Sequence, residues 1–201
     1  MDPVPPSLAR RGGALTRWVG RALLRTLGWR VEGTLPDRDR IIAIVAPHST
    51  YVDFLVAIGL VFSWNLRIRF IGKKELFRFP LRTILTRLGG IPVDRKASHG
   101  FVDQVAAVID REGKTLLGIA PEGTRKYGAR WKTGFYRIAR QTNAAIVPVT
   151  LDWQRRIIGI LPAVATSDDP KADLEQIVAQ FVPFPRKDGR TIDLARAISG
   201  N

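Results

Sequence analysis

The chain alternates between short runs rich in apolar and β-branched residues and longer stretches whose apolar residues recur every three or four positions. This alternation restricts the fold more than any other feature. Runs at 41–46, 67–71, 91–93, 114–120, 145–151 and 156–160 read as strands. Between and after them the spacing predicts helices at about 51–63, 75–88, 100–112, 133–142 and 171–181. Val102, Val105, Ala106 and Ile109 share one helix face, and Leu174, Ile177, Val178 and Phe181 share another. Strands alternating with helices form a sheet covered on both sides. The expected fold is therefore α/β: a single domain, a mixed, largely parallel sheet flanked by helices, and an N-terminal basic amphipathic helix. The 201 residues, 45% of them hydrophobic, suit one such domain with a substantial core. Residues 33–184 are expected to form this domain, residues 1–32 a membrane-association segment, and 185–201 a tail with no firm assignment.

Straight after the first buried run stand His48 and Asp53, with Ser-Thr-Tyr-Val between them. A histidine and a carboxylate at the mouth of a strand can act as general base and orienting partner. Positions five apart on a helix point about 140° away from each other, so His48 must sit in the turn before the helix. Ser49 or Thr50 is then the expected N-cap, with the helix beginning near Tyr51. Its positive end disfavours the imidazolium, whereas the carboxylate favours it and selects the tautomer.

Three more blocks follow in order: Gly89-Gly90-Ile-Pro-Val-Asp94-Arg95, then Pro121-Glu122-Gly123-Thr124-Arg125, then Ala145-Ile-Val-Pro148-Val-Thr-Leu151. Each alone is unspecific. With the His48–Asp53 block, and in this order and spacing, they resemble the glycerolipid acyltransferase family, typified by the lysophosphatidate (1-acylglycerol-3-phosphate) acyltransferases. The resemblance spans about residues 41–152.

It implies an O-acyltransferase that moves a fatty acyl group from a thioester to a free hydroxyl of a glycerolipid-like acceptor. His48 would be the base that deprotonates the hydroxyl as it attacks the carbonyl, and Asp53 its orienting partner. Arg95 and Arg125 would hold the acceptor's phosphate, a task for which arginine's planar fork suits better than lysine. Glu122, Gly123 and Thr124 complete the implied substrate contacts: Gly123 lets backbone approach the ligand, and Glu122 orients an arginine or the acceptor hydroxyl. No cofactor is implied; acyl-coenzyme A or an acylated carrier protein is the co-substrate. The chain has no cysteine and no Gly-x-Ser-x-Gly elbow, which leaves a covalent acyl-enzyme without an obvious nucleophile. Direct transfer in a ternary complex is the economical reading.

Each residue also has a plainer reading. His48 can be a satisfied turn histidine, Asp53 a first-turn acid favoured by the helix dipole, the two arginines solvated cations, and Pro121-Glu122-Gly123 a simple turn. His99, in a loop-like stretch, is expected to be merely exposed. Gly118 and Gly123 mimic the start of a phosphate-binding loop, but Thr124-Arg125 stands where Lys-Ser/Thr is required. With two histidines, no cysteine and no His/acid cluster, no metal site is expected.

Charge points to partners. The formal net charge is +14, and from Arg10 to Arg30 every charged residue is an arginine. Arg10, Arg17, Arg21 and Arg25 can line one helical side, with Leu15, Trp18, Val19, Ala22, Leu23 and Leu27 on the other. Such a helix suits the surface of an anionic membrane; it can equally dock its apolar face on its own domain. Arg67, Arg69, Arg78, Arg82 and Arg87 surround Phe70, Phe77, Phe79 and Leu81. That cluster suits a wider membrane footprint, coenzyme A phosphates or the acidic surface of a carrier protein.

The opening residues lack the basic-then-apolar layout of a signal peptide, and the longest apolar stretch is too short to span a bilayer. The expected location is the cytoplasm, peripheral on the cytoplasmic face of a membrane. Nucleic acid is not an expected partner, because none of its usual binding motifs is present. Two departures from the family pattern bear on the acceptor: the context of the His48 block, and Pro92-Val93 where many members carry Phe-Ile. Acceptors other than glycerolipids, and a catalytically silent basic membrane-binding module, stay open at this level.

Overall fold

The computed structural model describes residues 4–48, 50–93, 100–123, 130–185, 187–192 and 197. Among these residues seven strands form one sheet: β1 (Arg30–Glu32), β2 (Arg40–Ala46), β3 (Ile68–Lys73), β4 (Gly90–Val93), β5 (Thr115–Ile119), β6 (Ala145–Asp152) and β7 (Ile157–Ile160). Their spatial order is β1-β7-β6-β2-β5-β3-β4. Every neighbouring pair is parallel except β6 and β7. The helices are α1 (Ala14–Thr26), α2 (Val52–Ser63), α3 (Leu81–Arg87), α4 (Phe101–Glu112), α5 (Gly134–Thr142) and α6 (Pro170–Ala179). The single, largely parallel α/β sheet is as expected.

β2 lies at the centre, where a strand must be apolar on both faces. Ile42, Ile44 and Ala46 point into one core with Leu117, Ile146 and the buried sides of α4, α5 and α6. Ile41 and Ala43 point into the other with Leu116, Val147 and Val149, covered by α1 and α2. Leu174, Ile177, Val178 and Phe181 are all buried in the first core. α6 starts cleanly because Asp169 accepts from the N–H groups of Lys171 and Ala172 at 3.1 Å, with Pro170 at the first helical position.

Two expectations change, and one strand is added. The helix expected over 75–88 is a short 3-10 turn, Lys74–Leu76, followed by α3 from Leu81. Pro80 interrupts it: proline has no N–H to donate and its ring crowds the preceding turn. The N-cap of α2 is Tyr51 rather than Ser49 or Thr50, with no side-chain cap bond; Asp53 instead reaches back to the Thr50 N–H. β1 carries no apolar run, only an alternation too short to read, and it pairs at the sheet edge with β7.

α1 begins at Ala14, so Arg10 lies outside it, in an isolated bridge with Leu66. The helix crosses α2 at close range. A Cβ on Gly20 would overlap the backbone of Ser63 and lie 2.8 Å from the Gly59 carbonyl oxygen. Gly20 and Leu24 are buried there, while Leu15 and Trp18 stay exposed, Trp18 at 67%. The apolar side expected of this helix is therefore divided: Leu23 and Leu27 are half-buried, and Leu15, Trp18 and Val19 face outward. No helix among the described residues is long and apolar enough to cross a membrane.

Candidate active site

Because β2 and β5 are parallel neighbours, the segments that follow them emerge side by side at the carboxyl edge of the sheet. After β2 the chain continues through Pro47 to His48; after β5 it turns through Pro121, Glu122 and Gly123. The two blocks, far apart in sequence, meet directly: the His48 backbone N–H donates to Glu122 Oε1 at 3.3 Å. Glu122 is 5% exposed. Its carboxylate braces the His48 main chain, a role the sequence did not suggest. Gly123 has φ +61°, a conformation that suits glycine, and its N–H donates to the Ala120 carbonyl. The geometry of the turn itself thus accounts for glycine at this position.

His48 Nδ1 lies 4.0 Å from Asp53 Oδ2, with the imidazole partly open to solvent and the carboxylate buried. That separation is an electrostatic contact, longer than a hydrogen bond. Asp53 is held from several sides. Thr50 donates its backbone N–H to Oδ2 (2.8 Å) and its hydroxyl to Oδ1 (3.0 Å), and the Trp153 indole Nε1–H also donates to Oδ1 (3.0 Å). These donors give the buried carboxylate its hydrogen-bond partners and fix its position at the start of α2.

Trp153 is the residue that sequence reasoning missed. It opens the tight connection between the antiparallel strands β6 and β7. Asp152 builds that connection: its Oδ1 accepts the N–H groups of Gln154 (3.0 Å) and Arg155 (2.9 Å). The available signal was an aspartate followed by polar residues between two β-like runs, which marks a turn. Nothing local says that the tryptophan beside it reaches α2. Trp29 meets the Trp153 ring edge-on at 5.1 Å, and Arg156 and Lys187 stand over the same ring at 5.8 and 4.9 Å.

Of the residues singled out by sequence, His48, Asp53, Glu122 and Gly123 come together at the carboxyl ends of β2 and β5. Arg95, His99, Thr124 and Arg125 lie outside the described residues, as does Ser49. In the other basic cluster, Arg67 and Arg69 are committed within the fold. Arg69 donates through Nε to Glu112 Oε2 at 3.0 Å and pairs through its other nitrogen with Oε1, and Arg67 lies 3.6 Å from the same carboxylate. The hydrogen bond from Arg69, with the charges around it, holds the Glu112 carboxyl below the usual glutamate range. Arg69 in β3, and Arg67 just before it, therefore pair with the end of α4.

A protein-family model described as acyltransferase matches residues 29–152. The 1-acyl-sn-glycerol-3-phosphate acyltransferase of Cocos nucifera is 30% identical over 178 residues, which cover 82% of this chain and 56% of that protein. A chloroplastic 1-acyl-sn-glycerol-3-phosphate acyltransferase of Arabidopsis thaliana, LPAT1, is 28% identical over 142 residues, covering 67% of this chain and 38% of its own length. The chain thus spans about half or less of the curated relatives it matches. The crystal structure of the 1-acyl-sn-glycerophosphate acyltransferase PlsC from Thermotoga maritima aligns with a TM-score of 0.56 at 20% identity. The alignment covers 87% of this chain and 76% of that one, a likeness of fold.

Proposed function

The chain belongs to the acyltransferase family, and from that premise we propose that it transfers a fatty acyl group from a thioester to a hydroxyl of a glycerolipid-like acceptor such as lysophosphatidate. The observation that carries this reading is the meeting of His48, a buried Asp53 and Glu122 at the carboxyl edge of two adjacent parallel strands. A buried carboxylate facing a partly open imidazole, on a main chain held by a second carboxylate, suits proton transfer.

In the proposed reaction, Nδ1 of His48 faces Asp53 and Nε2 takes the proton of the acceptor hydroxyl. The alkoxide oxygen attacks the thioester carbonyl. The carbon–sulfur bond then breaks, and the departing thiolate recovers the proton from the imidazolium. Asp53 stabilises that imidazolium and sets the ring's tautomer, and a modest rotation of the ring closes the 4.0 Å gap to a hydrogen bond in the loaded site. Glu122 fixes the main chain from which the ring projects. Arg95 and Arg125 hold an acceptor phosphate, and Thr124 joins them in contacting the substrate. The donor is acyl-coenzyme A or an acyl carrier protein.

The acceptor dissolves in a bilayer, so the enzyme works at a membrane surface, in this reading the cytoplasmic face. Exposed apolar side chains support docking there: Leu15, Trp18 and Val19 on α1, Phe54 and Leu55 on α2, and Phe79, Leu81 and Ile84 around α3. Arg11, just before α1, donates to the Arg87 carbonyl oxygen at the end of α3, which brings these elements next to each other.

The test is thiol release from palmitoyl-coenzyme A, with and without a panel of lysolipids, for the wild type and His48→Ala. Loss of a general base lowers turnover by about 10²–10⁴-fold, with the circular dichroism spectrum unchanged. Release that depends on both an acceptor and His48 supports the reading. Near-wild-type activity of His48→Ala on a verified product would sink the mechanism.

A further inference from the structure

We infer that the arginine face of α1 forms, with β1 and the end of α2, a binding site for a phosphoryl-bearing anion, separate from the His48 site. A groove of about 600 Å³ lies there. Arg17, Arg21 and Arg25 project from α1 and Arg30 from β1, while Trp29 and Trp64 supply the apolar walls. Arg10 reaches the same groove while donating to the Val4 carbonyl oxygen at 3.1 Å.

The charge in this groove is unbalanced, and that is what calls for a ligand. Among the described residues no carboxylate lines it. Arg30 meets Glu32 through Nε at 3.3 Å, along the outer edge of β1. Some arginines elsewhere sit against a carboxylate, Arg40 with Asp110 and Arg69 with Glu112 among them. Arg17, Arg21 and Arg25 instead follow one another at four-residue steps, about 6 Å apart along the helix axis, so like charges stand next to each other in a row. α1 also has no acid in its first turn to offset them. A row of like charges along one helix side raises the local positive potential.

The chemistry of the row selects the ligand class. Each guanidinium is a planar fork that matches two oxygens of a phosphoryl group, and several forks can share its three acceptor oxygens. Trp29 lines the groove and meets Trp153 edge-on, and Trp153 donates to Asp53, so the groove lies near the His48 site. His48, Asp53 and Trp153 are absent from its lining. A phosphoryl group can arrive from two sources. One is a free phosphoanion in solution. The other is the headgroup of an anionic lipid, delivered when the exposed Leu15 and Trp18 beside the arginine row enter a bilayer.

The inference rests on binding and stands apart from the acyl-transfer reading. Its test uses the full chain, with pyrophosphate titrated against tryptophan emission, and flotation on vesicles of phosphatidylcholine alone or mixed with phosphatidic acid. The triple variant Arg17→Gln, Arg21→Gln, Arg25→Gln is compared with Arg111→Gln, Arg137→Gln, Lys171→Gln, which removes the same charge from exposed positions on α4, α5 and α6. The α1 variant is expected to weaken the phosphoryl-dependent binding by at least about tenfold, and the control variant to leave it within about twofold. The single variant Arg21→Lys keeps the charge, removes one fork and is expected to fall between them. Pyrophosphate binding lost in the α1 variant identifies a free phosphoanion. Loss confined to the phosphatidic acid increment, with phosphatidylcholine binding retained, identifies a lipid headgroup. Equal losses in the two triple variants would mean that net charge alone attracts the ligand, and no loss in the α1 variant would mean that the groove is not a site; either overturns the inference.

Discussion

The indole N–H of Trp153 donates to Oδ1 of Asp53 at 3.0 Å, across a hundred residues of sequence. It couples the connection after β6 to the start of α2, and so to the carboxylate that faces His48. A tryptophan is well suited to this: its ring packs against Trp29 while its single polar atom spends its hydrogen on the acid.

Trp153→Phe keeps an aromatic ring against Trp29 and removes that donor. A buried carboxylate deprived of one hydrogen bond costs about 1–3 kcal/mol, so urea unfolding should show a loss in this range. If Asp53 orients His48, kcat for acyl transfer falls by roughly tenfold with KM for the acceptor little changed. Unchanged kcat in a destabilised variant would reduce Trp153 to a structural role.

Gly20→Ala tests the crossing of α1 and α2 with opposing terms. In an open helix the change gains about 1 kcal/mol of propensity. Here the new methyl group would overlap the Ser63 backbone, and overpacking of this kind costs about 1–3 kcal/mol. Backbone cannot rotate out of the way as a side chain can, so net destabilisation is expected in chemical denaturation. A rise in stability would show that α1 can shift away from α2 at little cost.

Asp173 and Tyr136 give the fold a pH signature remote from the candidate active site. Burial pushes the Tyr136 hydroxyl up to about 12, helped by its hydrogen bond to Asp173. Burial also raises the Asp173 carboxyl, but the hydrogen bonds from Tyr136 and Ser167 outweigh it and leave the group below the usual aspartate range. For the tyrosine, whose folded pKa is raised, the stability contribution is complete below pH 10 and lost between there and about 12. For the aspartate, whose folded pKa is lowered, the contribution is present above the unfolded value of 3.8 and lost as pH falls through the folded one. The advantage of the wild type over Tyr136→Phe should therefore shrink between pH 10 and 12, by roughly 2–3 kcal/mol. Its advantage over Asp173→Asn should shrink in acid instead. Equilibrium denaturation across pH checks both, and an advantage independent of pH in either range would remove that group's coupling to folding.

The alternation of strand and helix was legible from periodicity because burial imposes it residue by residue: β2 must be apolar on both faces, whereas α4 need be apolar on one side only. His48 and Asp53 were legible as a pair for the same local reason, since both sit at the junction of one strand and one helix. Sequence alone did not reveal that Glu122 holds the His48 main chain, because that contact exists only once β5 lies beside β2. Nor did it locate Trp153, whose partner is set by the order of strands rather than by any neighbour in the chain. The basic helix makes the same point. Composition declared its charge and its apolar side, but which apolar residues were buried was decided by how closely Gly20 lets it approach α2. Local pattern determines what each segment can bury; only tertiary packing decides which polar and charged groups that burial brings together.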